Sequence, residues 1–296
     1  MSTNTLFEEY SASPTAGATA DAASARARRQ AMFRPGLIVA GLFLIFLVAA
    51  AVAPGWIVAG DPLETNARES FQPPSFAHPL GQDENGRDVL TRIVYGARST
   101  LAMGLIATAI GLILGVLLGL AAGLGPHVVD QAVMRFVDVL LAFPDLLFAL
   151  VIITFFGSGA LHAIFAVGIA SVPRYARLVR AQAHQVRGLP YVQAATTLGL
   201  SRTTVVFRHI LPNAIRPVVV LAVAGVGGKI AVGASLGFLG LGTPPPEPEW
   251  GAMLAMGRDF LANAWWMTAA PAAALVLTVL SIGVLGRELL RRKAST

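Results

Sequence analysis

Of the 296 residues, 55% are hydrophobic and only 13% are charged, with a mean hydropathy of +0.67; soluble domains carry roughly a quarter charged residues, so a water-soluble globular fold is excluded. Cysteine is absent and the five histidines (His78, His127, His162, His184, His209) are scattered, which rules out a disulfide framework, a thiolate metal site and any histidine pair at metal-ligand spacing. The net charge of +6 follows membrane topology rather than nucleic-acid binding, because the basic residues cluster where the positive-inside rule would place them.

Residues 1–35 are rich in Ala, Ser and Thr and end in Arg26, Arg28, Arg29 and Arg34, the composition of a disordered cytoplasmic tail. From Gly36 to Gly60 no residue is charged, enough for one bilayer-spanning helix of about 20 residues. The alanines at 49–51 and 53 resemble a signal-peptidase site, but the long preceding tail and the further apolar runs favour a retained signal-anchor. A second span lies between Arg98 and His127, with Gly111, Gly115, Gly119 and Gly123 at every fourth position and Gly104 seven earlier. That spacing strips one helix face for close packing.

The third span starts after Asp138 and runs to about Phe156. The fourth, Leu161 to about Val179, is weaker, because its apolar core ends at Pro173 before Arg174 and Arg177; it is short or lets those arginines snorkel to the headgroups. Asn213 to Gly240 and Leu261 to Gly286 are the fifth and sixth. The expected fold is therefore an all-α membrane bundle of six helices, a transmembrane domain over 36–290 with a short cytoplasmic tail at 291–296. With both termini inside, the inner segments hold sixteen basic against six acidic residues and the outer segments five against nine, so the N-in, C-in orientation follows.

Catalytic motifs are missing. A P-loop ending at Lys229 would need glycine where Val223 stands and Ser or Thr at Ile230, and no nucleophile elbow, paired-carboxylate constellation or dinucleotide fingerprint is present. The chain is thus expected to be non-enzymatic and to hold no cofactor or metal. Two charges fall inside spans, Asp145 and Lys229. Counting about 1.5 Å per residue puts them at similar depth, close enough to pair; Lys229 snorkelling or lining a wet cavity, and Asp145 capping a helix that restarts at Pro144, are the alternatives.

The long basic loop at about 183–212 is the most informative segment; from Arg174 to Arg208 there are six arginines and no acid. Pro190 can open a helix, Tyr191, Ala194, Ala195 and Leu198 give it one apolar face, Gly199 stops it and Ser201 can cap a second short helix. Pro212 closes the loop. A basic amphipathic segment lying on anionic lipid is one reading; the small flat Ala194-Ala195 face suits a protein groove better.

The string Gln193-Ala194-Ala195-x-x-x-Gly199, then nine residues, then His209-x-Leu211-Pro212 resembles the EAA loop of binding-protein-dependent ABC importer permeases, with Gln193 where Glu is usual and His209 where many members have Ile. The run from His78 to Leu90 with Tyr95-Gly96-Ala97-Arg98, the run Val137 to Pro144, and Phe238 to Gly242 with Trp250-Gly251 resemble the second permease of dipeptide, oligopeptide and nickel importers. Gly233 stands where a Glu is usual. The resemblance implies a type I importer bundle in the inner membrane, a homologous second permease, two ATPase subunits that bind ATP and Mg²⁺, and an extracytoplasmic binding protein facing the acidic segments 61–92 and 243–260. It implies that Tyr191, Gln193, Ala194, Ala195, Leu198, Gly199, His209, Leu211 and Pro212 form the ATPase-coupling segment. An ion-driven secondary transporter is a further class that the helix pattern admits.

Overall fold

The computed structural model describes residues 35–294, with side chains through 291; the expected N-terminal tail lies outside the described residues. Among these there is no strand, only an isolated bridge between Gln82 and Asp88. Nine helices carry the fold: α1 (Pro35–Val52), α2 (Val89–Leu124), α3 (His127–Leu141), α4 (Asp145–Phe156), α5 (Ala160–Arg187), α6 (Pro190–Thr197), α7 (Arg202–Phe238), α8 (Trp250–Arg258) and α9 (Trp266–Ala294).

Four of these, α1, α2, α7 and α9, are long and apolar enough to cross a membrane, and the count rises to five if α3 and α4 form one span. That pair was expected as a single span after Asp138. It is instead two helices bent by 96°, because Pro144 cannot donate to the helical ladder and takes the N-cap position of α4. The remaining expected span is α5, which does not stop near Val179 but passes through Pro173 to Arg187. At about 1.5 Å per residue it is about 42 Å long, its second half carrying Arg174, Arg177, Arg180 and Arg187.

Other boundaries moved for local reasons. The first span ends at Val52, ahead of a short turn at Pro54–Trp56. α2 starts well before Arg98, since the Asp88 carboxylate accepts from the Thr91 amide at 2.7 Å and caps it. The second short helix after Ser201 does not end at Pro212; it is the first turn of α7 and runs through a π-helical stretch, Val205–Ile210, into the rest of that helix. The wide turn sits where the Pro212 ring would otherwise meet the carbonyl of residue 208.

α2 and α5 make the most extensive helix–helix contact. A Cβ at Gly115 would stand 2.5 Å from the Tyr175 Cβ, one at Gly119 2.6 Å from the Ala176 carbonyl oxygen, one at Gly111 2.8 Å from the Ser171 Cβ and one at Gly123 2.9 Å from the Ala183 Cβ. The four glycines thus admit α5 at backbone distance, the kind of packing that holds helices together where lipid removes the hydrophobic driving force. Gly104 does not belong to this stripe; it faces Ile230 and Val226 of α7. At Gly233 a side chain would overlap Met103, which fills that volume itself.

Residues 53–88 form a lobe at the start of α2. Its buried Asp83 holds Arg87 at 2.6 Å and Arg92 at 3.5 Å. The Trp266 indole donates to the Gln82 carbonyl at 3.1 Å, and the Trp250 indole to the Ile93 carbonyl at 3.0 Å. The lobe is therefore bolted to α9 and the start of α2 to α8, and two of the acids in the acidic segments, Asp83 and Glu249, are buried rather than displayed.

Glu249 caps α8, its two oxygens accepting from the Gly251 amide at 2.7 Å and the Ala252 amide at 2.9 Å. Burial pushes its carboxyl up from the ordinary 4.5 in spite of those two donors. The folded chain then holds this proton more tightly than the unfolded chain. The group's contribution to stability is full below the unfolded pKa and is lost as pH rises through the folded one. Wild type should therefore gain thermal stability relative to Glu249→Gln as pH is lowered from about 8 to about 5. A melting-temperature difference that is flat or of the opposite slope would refute this.

Candidate functional site

The segment between α5 and α7 is built on an apolar seat. Pro190 opens α6 with Leu189 as N-cap. Gly199 ends it at φ +82°, a left-handed conformation that a side chain with a Cβ adopts at a cost, and the Leu200 amide donates back to the Ala195 carbonyl at 3.2 Å. The Ser201 hydroxyl then accepts from the Thr204 amide and caps the first turn of α7. Underneath, Val192 and Ala195 pack with Ala183, Val186, Val205, Ile210 and Ala214.

The apolar face read from the sequence is thereby split. Ala195, expected to face outward with Ala194, is buried at 8% exposure, whereas Tyr191, Ala194 and Leu198 are exposed, Leu198 at 80%. The reason is the short length of α6: in eight residues two overlapping faces are apolar, and contact with α5 and α7 selects the one containing Val192. Gln193 is also exposed, its amide donating to the Gly188 carbonyl at 3.2 Å.

The far part of the segment is tied to α6 from one side. The Asn213 amide donates to the Tyr191 hydroxyl at 3.0 Å and to the His209 carbonyl at 2.7 Å, and the Tyr191 and His209 rings are 6.2 Å apart. Leu211 is half-buried and Pro212 exposed at the base of α7. Arg202 donates to the Leu124 carbonyl at 2.6 Å, joining the segment to the end of α2. All nine residues of the expected coupling segment therefore lie at one end of the bundle, and Val192 and Asn213, which the motif did not single out, hold them there. The lobe with Ser75 lies at the other end of α2, a helix about 54 Å long by its 36 residues.

A second constellation crosses the bundle. Lys229 and Asp145 are brought together, Nζ to Oδ2 at 3.5 Å, and Arg174 reaches the same carboxylate at 3.1 Å. Further along, Arg177 pairs with Asp138, and Arg180 with Asp130, its Nη2 donating at 2.6 Å. The three acids of the bent pair α3–α4 thus meet three arginines one turn apart on α5, a ladder with antiparallel order.

Residues 111–294 match the family model described as binding-protein-dependent transport system inner membrane component. The chain is 39% identical over 251 residues to the di/tripeptide transport system permease protein of Pseudomonas aeruginosa, covering 83% of each chain. It is 36% identical over 263 residues to the probable D,D-dipeptide transport system permease protein of Escherichia coli, covering 88% of each, and 39% identical over 250 residues to the glutathione transport system permease protein of Pectobacterium atrosepticum, covering 84% of this chain and 83% of that one. Among solved structures, the fold is similar to that of the MetNI methionine ABC transporter in an inward-facing conformation, with a TM-score of 0.57 at 20% identity over 68% of this chain and 95% of that one. An amino acid ABC transporter crystallised with histidines gives 0.54 at 18% identity over 69% and 94%.

Proposed function

The chain belongs to the family of binding-protein-dependent transport system inner membrane components and is a non-catalytic permease subunit of an ABC importer; on that premise we propose that it imports dipeptides or oligopeptides, driven by ATPase subunits that dock on α6. The observation that carries the docking reading is the position of α6 at the junction of two long helices. Its inner face is sealed to α5 and α7, and its outer face, Tyr191, Ala194 and Leu198, is bare. Force applied there reaches α5, which packs on α2, and α7, which packs on α9.

Two ATPase subunits bind ATP and Mg²⁺, and their closure draws α6 and shifts the bundle from inward-open to outward-open; the shift is set by the difference in affinity for the two states. A second, homologous permease supplies the other half of the pathway, and an extracytoplasmic protein delivers substrate at the lobe end. Peptide names on the relatives support peptide over nickel. Family membership sets aside an ion-driven secondary transporter.

The test is uptake of a labelled dipeptide by the complex reconstituted in vesicles. Uptake should require ATP and fall to background when the P-loop lysine of the ATPase is replaced. Uptake driven by an ion gradient without ATP would overturn the assignment.

In the bacterial inner membrane we place both termini in the cytoplasm and count six spans, taking α3–α4 as one and α5 as another. Ser75 is exposed in the outer lobe and the natural chain has no cysteine. A Ser75→Cys variant should react with a membrane-impermeant thiol reagent in intact cells, while a cysteine in a C-terminal tag should not. Labelling of the C-terminal tag would invalidate the six-span topology.

A further inference from the structure

The rungs of the ladder differ in charge count. Asp138 meets one arginine, and Asp130 meets Arg180 with the His184 ring 3.7 Å away. Asp145 meets two basic side chains, Arg174 and Lys229. Among the described residues no second acid pairs with either of them, so this rung carries one surplus positive charge.

The surplus lies deep in the bundle. Lys229 precedes the end of α7 by nine residues, about 14 Å, and Arg174 follows the start of α5 by fourteen, about 21 Å. The Arg174 side chain is 59% exposed and that of Asp145 26%. A guanidinium at that depth does not face hydrocarbon; this surface meets water or a polar group. The wall beside it is bare. No atom lies within 4 Å of where a side chain at Gly228 would begin, and Gly225, one turn before Lys229, leaves the Tyr175 hydroxyl 3.7 Å from its absent Cβ.

We infer that the Asp145–Arg174–Lys229 rung is a transit site for a carboxylate of the imported molecule, a peptide C-terminus or an acidic side chain. The inference rests on the import reading and adds to it a step that recognises charge. Arg174 offers a planar fork matched to a carboxylate, and Lys229 a compact charge behind it. Asp145 stays in place and leaves only one net charge to attract the ligand. That balance suits a pathway, where a site must be attractive enough to enter and weak enough to leave.

Lys229 and Lys293 are the chain's only lysines, so methylation by ¹³C-formaldehyde and a reducing agent can be read at Lys229 by mass spectrometry with Lys293 as internal control. In the complete complex, in vesicles of zwitterionic lipid, N-acetylglutamate should slow methylation of Lys229 about threefold at twice its Kd and leave Lys293 unaffected. Neutral N-acetylglutaminamide should not protect. Arg174→Gln should remove the protection and Arg177→Gln should keep it.

Equal protection by both probes, protection by neither, or a Lys229 that stays unmodified while Lys293 reacts would each overturn the proposal. Protection produced by adding phosphatidylglycerol instead of the probe would assign the site to a lipid headgroup and overturn it as well. The assay needs neither ATP nor uptake, so a failure of peptide import leaves its result unaffected.

Discussion

Replacing Gly115 and Gly119 together with leucine is expected to prevent the permease from reaching a stable fold. The atoms that a side chain would meet are the Tyr175 Cβ and the Ala176 amide nitrogen at one site, and the Ala176 carbonyl and the Val179 Cβ at the other. None of them is the far end of a flexible side chain, so relief requires α2 and α5 to separate. Overpacking costs about 1–3 kcal/mol per site, and the two positions share Ala176, so their effects will not simply add. Two such sites cost about 2–6 kcal/mol together, and against a total stability of about 5–15 kcal/mol a loss at the upper end of that cost removes most or all of the margin of a marginally stable bundle. The readout is the monodisperse fraction after detergent extraction, with the thermal melt of whatever survives. Gly41→Leu, at a position with nothing within 4 Å, serves as the control and should behave as wild type. A double variant that melts within about 2 °C of wild type would remove the glycine stripe as the reason for the α2–α5 approach.

Leu198→Glu and Ala194→Trp are expected to abolish substrate-stimulated ATP hydrolysis and uptake while the protein still inserts and extracts normally. Both side chains are exposed, Ala194 on α6 and Leu198 at its C-cap, and take no part in its apolar seat, so the chain itself has no need of them. An interface anchor contributes about 2 kcal/mol or more, which corresponds to at least a roughly 30-fold loss in attachment. Ala195→Trp should fail differently, because Ala195 is part of the seat and a tryptophan there would lift α6 off α5 and α7. Gly199→Val should also fail, since a β-branched residue tolerates φ near +82° poorly. Gln193→Glu should be tolerated, as Gln193 is exposed and its one side-chain hydrogen bond is to a loop carbonyl. The decisive comparison is ATPase attachment, hydrolysis and uptake for each variant in reconstituted vesicles. Normal uptake by both Leu198→Glu and Ala194→Trp would eliminate α6 as the docking element and leave the lipid-surface reading in its place.

What could be read in advance was what depends on local chemistry. Pro190 opening a helix, Gly199 closing it and Ser201 capping the next are each decided by one residue's backbone or side-chain preference. The glycine stripe was equally legible, because only close packing uses such a repeat. The buried face of α6 was not, since periodicity in eight residues marks apolar positions without saying which neighbour covers them. Val192 took the inner place because α5 and α7 lie on that side. The bend at Pro144 was half legible: proline announces a break, but its 96° comes from packing.

The ladder shows a different limit. Asp130, Asp138 and Asp145 stand in one segment and Arg174, Arg177 and Arg180 in another, and their antiparallel match was present in the sequence. The acids recur at intervals of eight and seven across a bend, the arginines at intervals of three. Asp130 and Asp138 share one helix, and the bend after it decides where Asp145 falls against Arg174. The surplus cation on the Asp145 rung was likewise invisible until Arg174 was seen to share that carboxylate with Lys229.

The bolt between Trp266 and Gln82 closes a gap of 184 residues, and this dictates an order of events during synthesis. Gln82 leaves the ribosome first, and at about 5–20 residues per second the indole that completes the lobe follows roughly 10–40 s later. Through that interval the lobe lacks its anchor to α9. A chain that terminates prematurely before Trp266 would never acquire it, and the open lobe would give surface proteases a means of telling an unfinished subunit from a finished one.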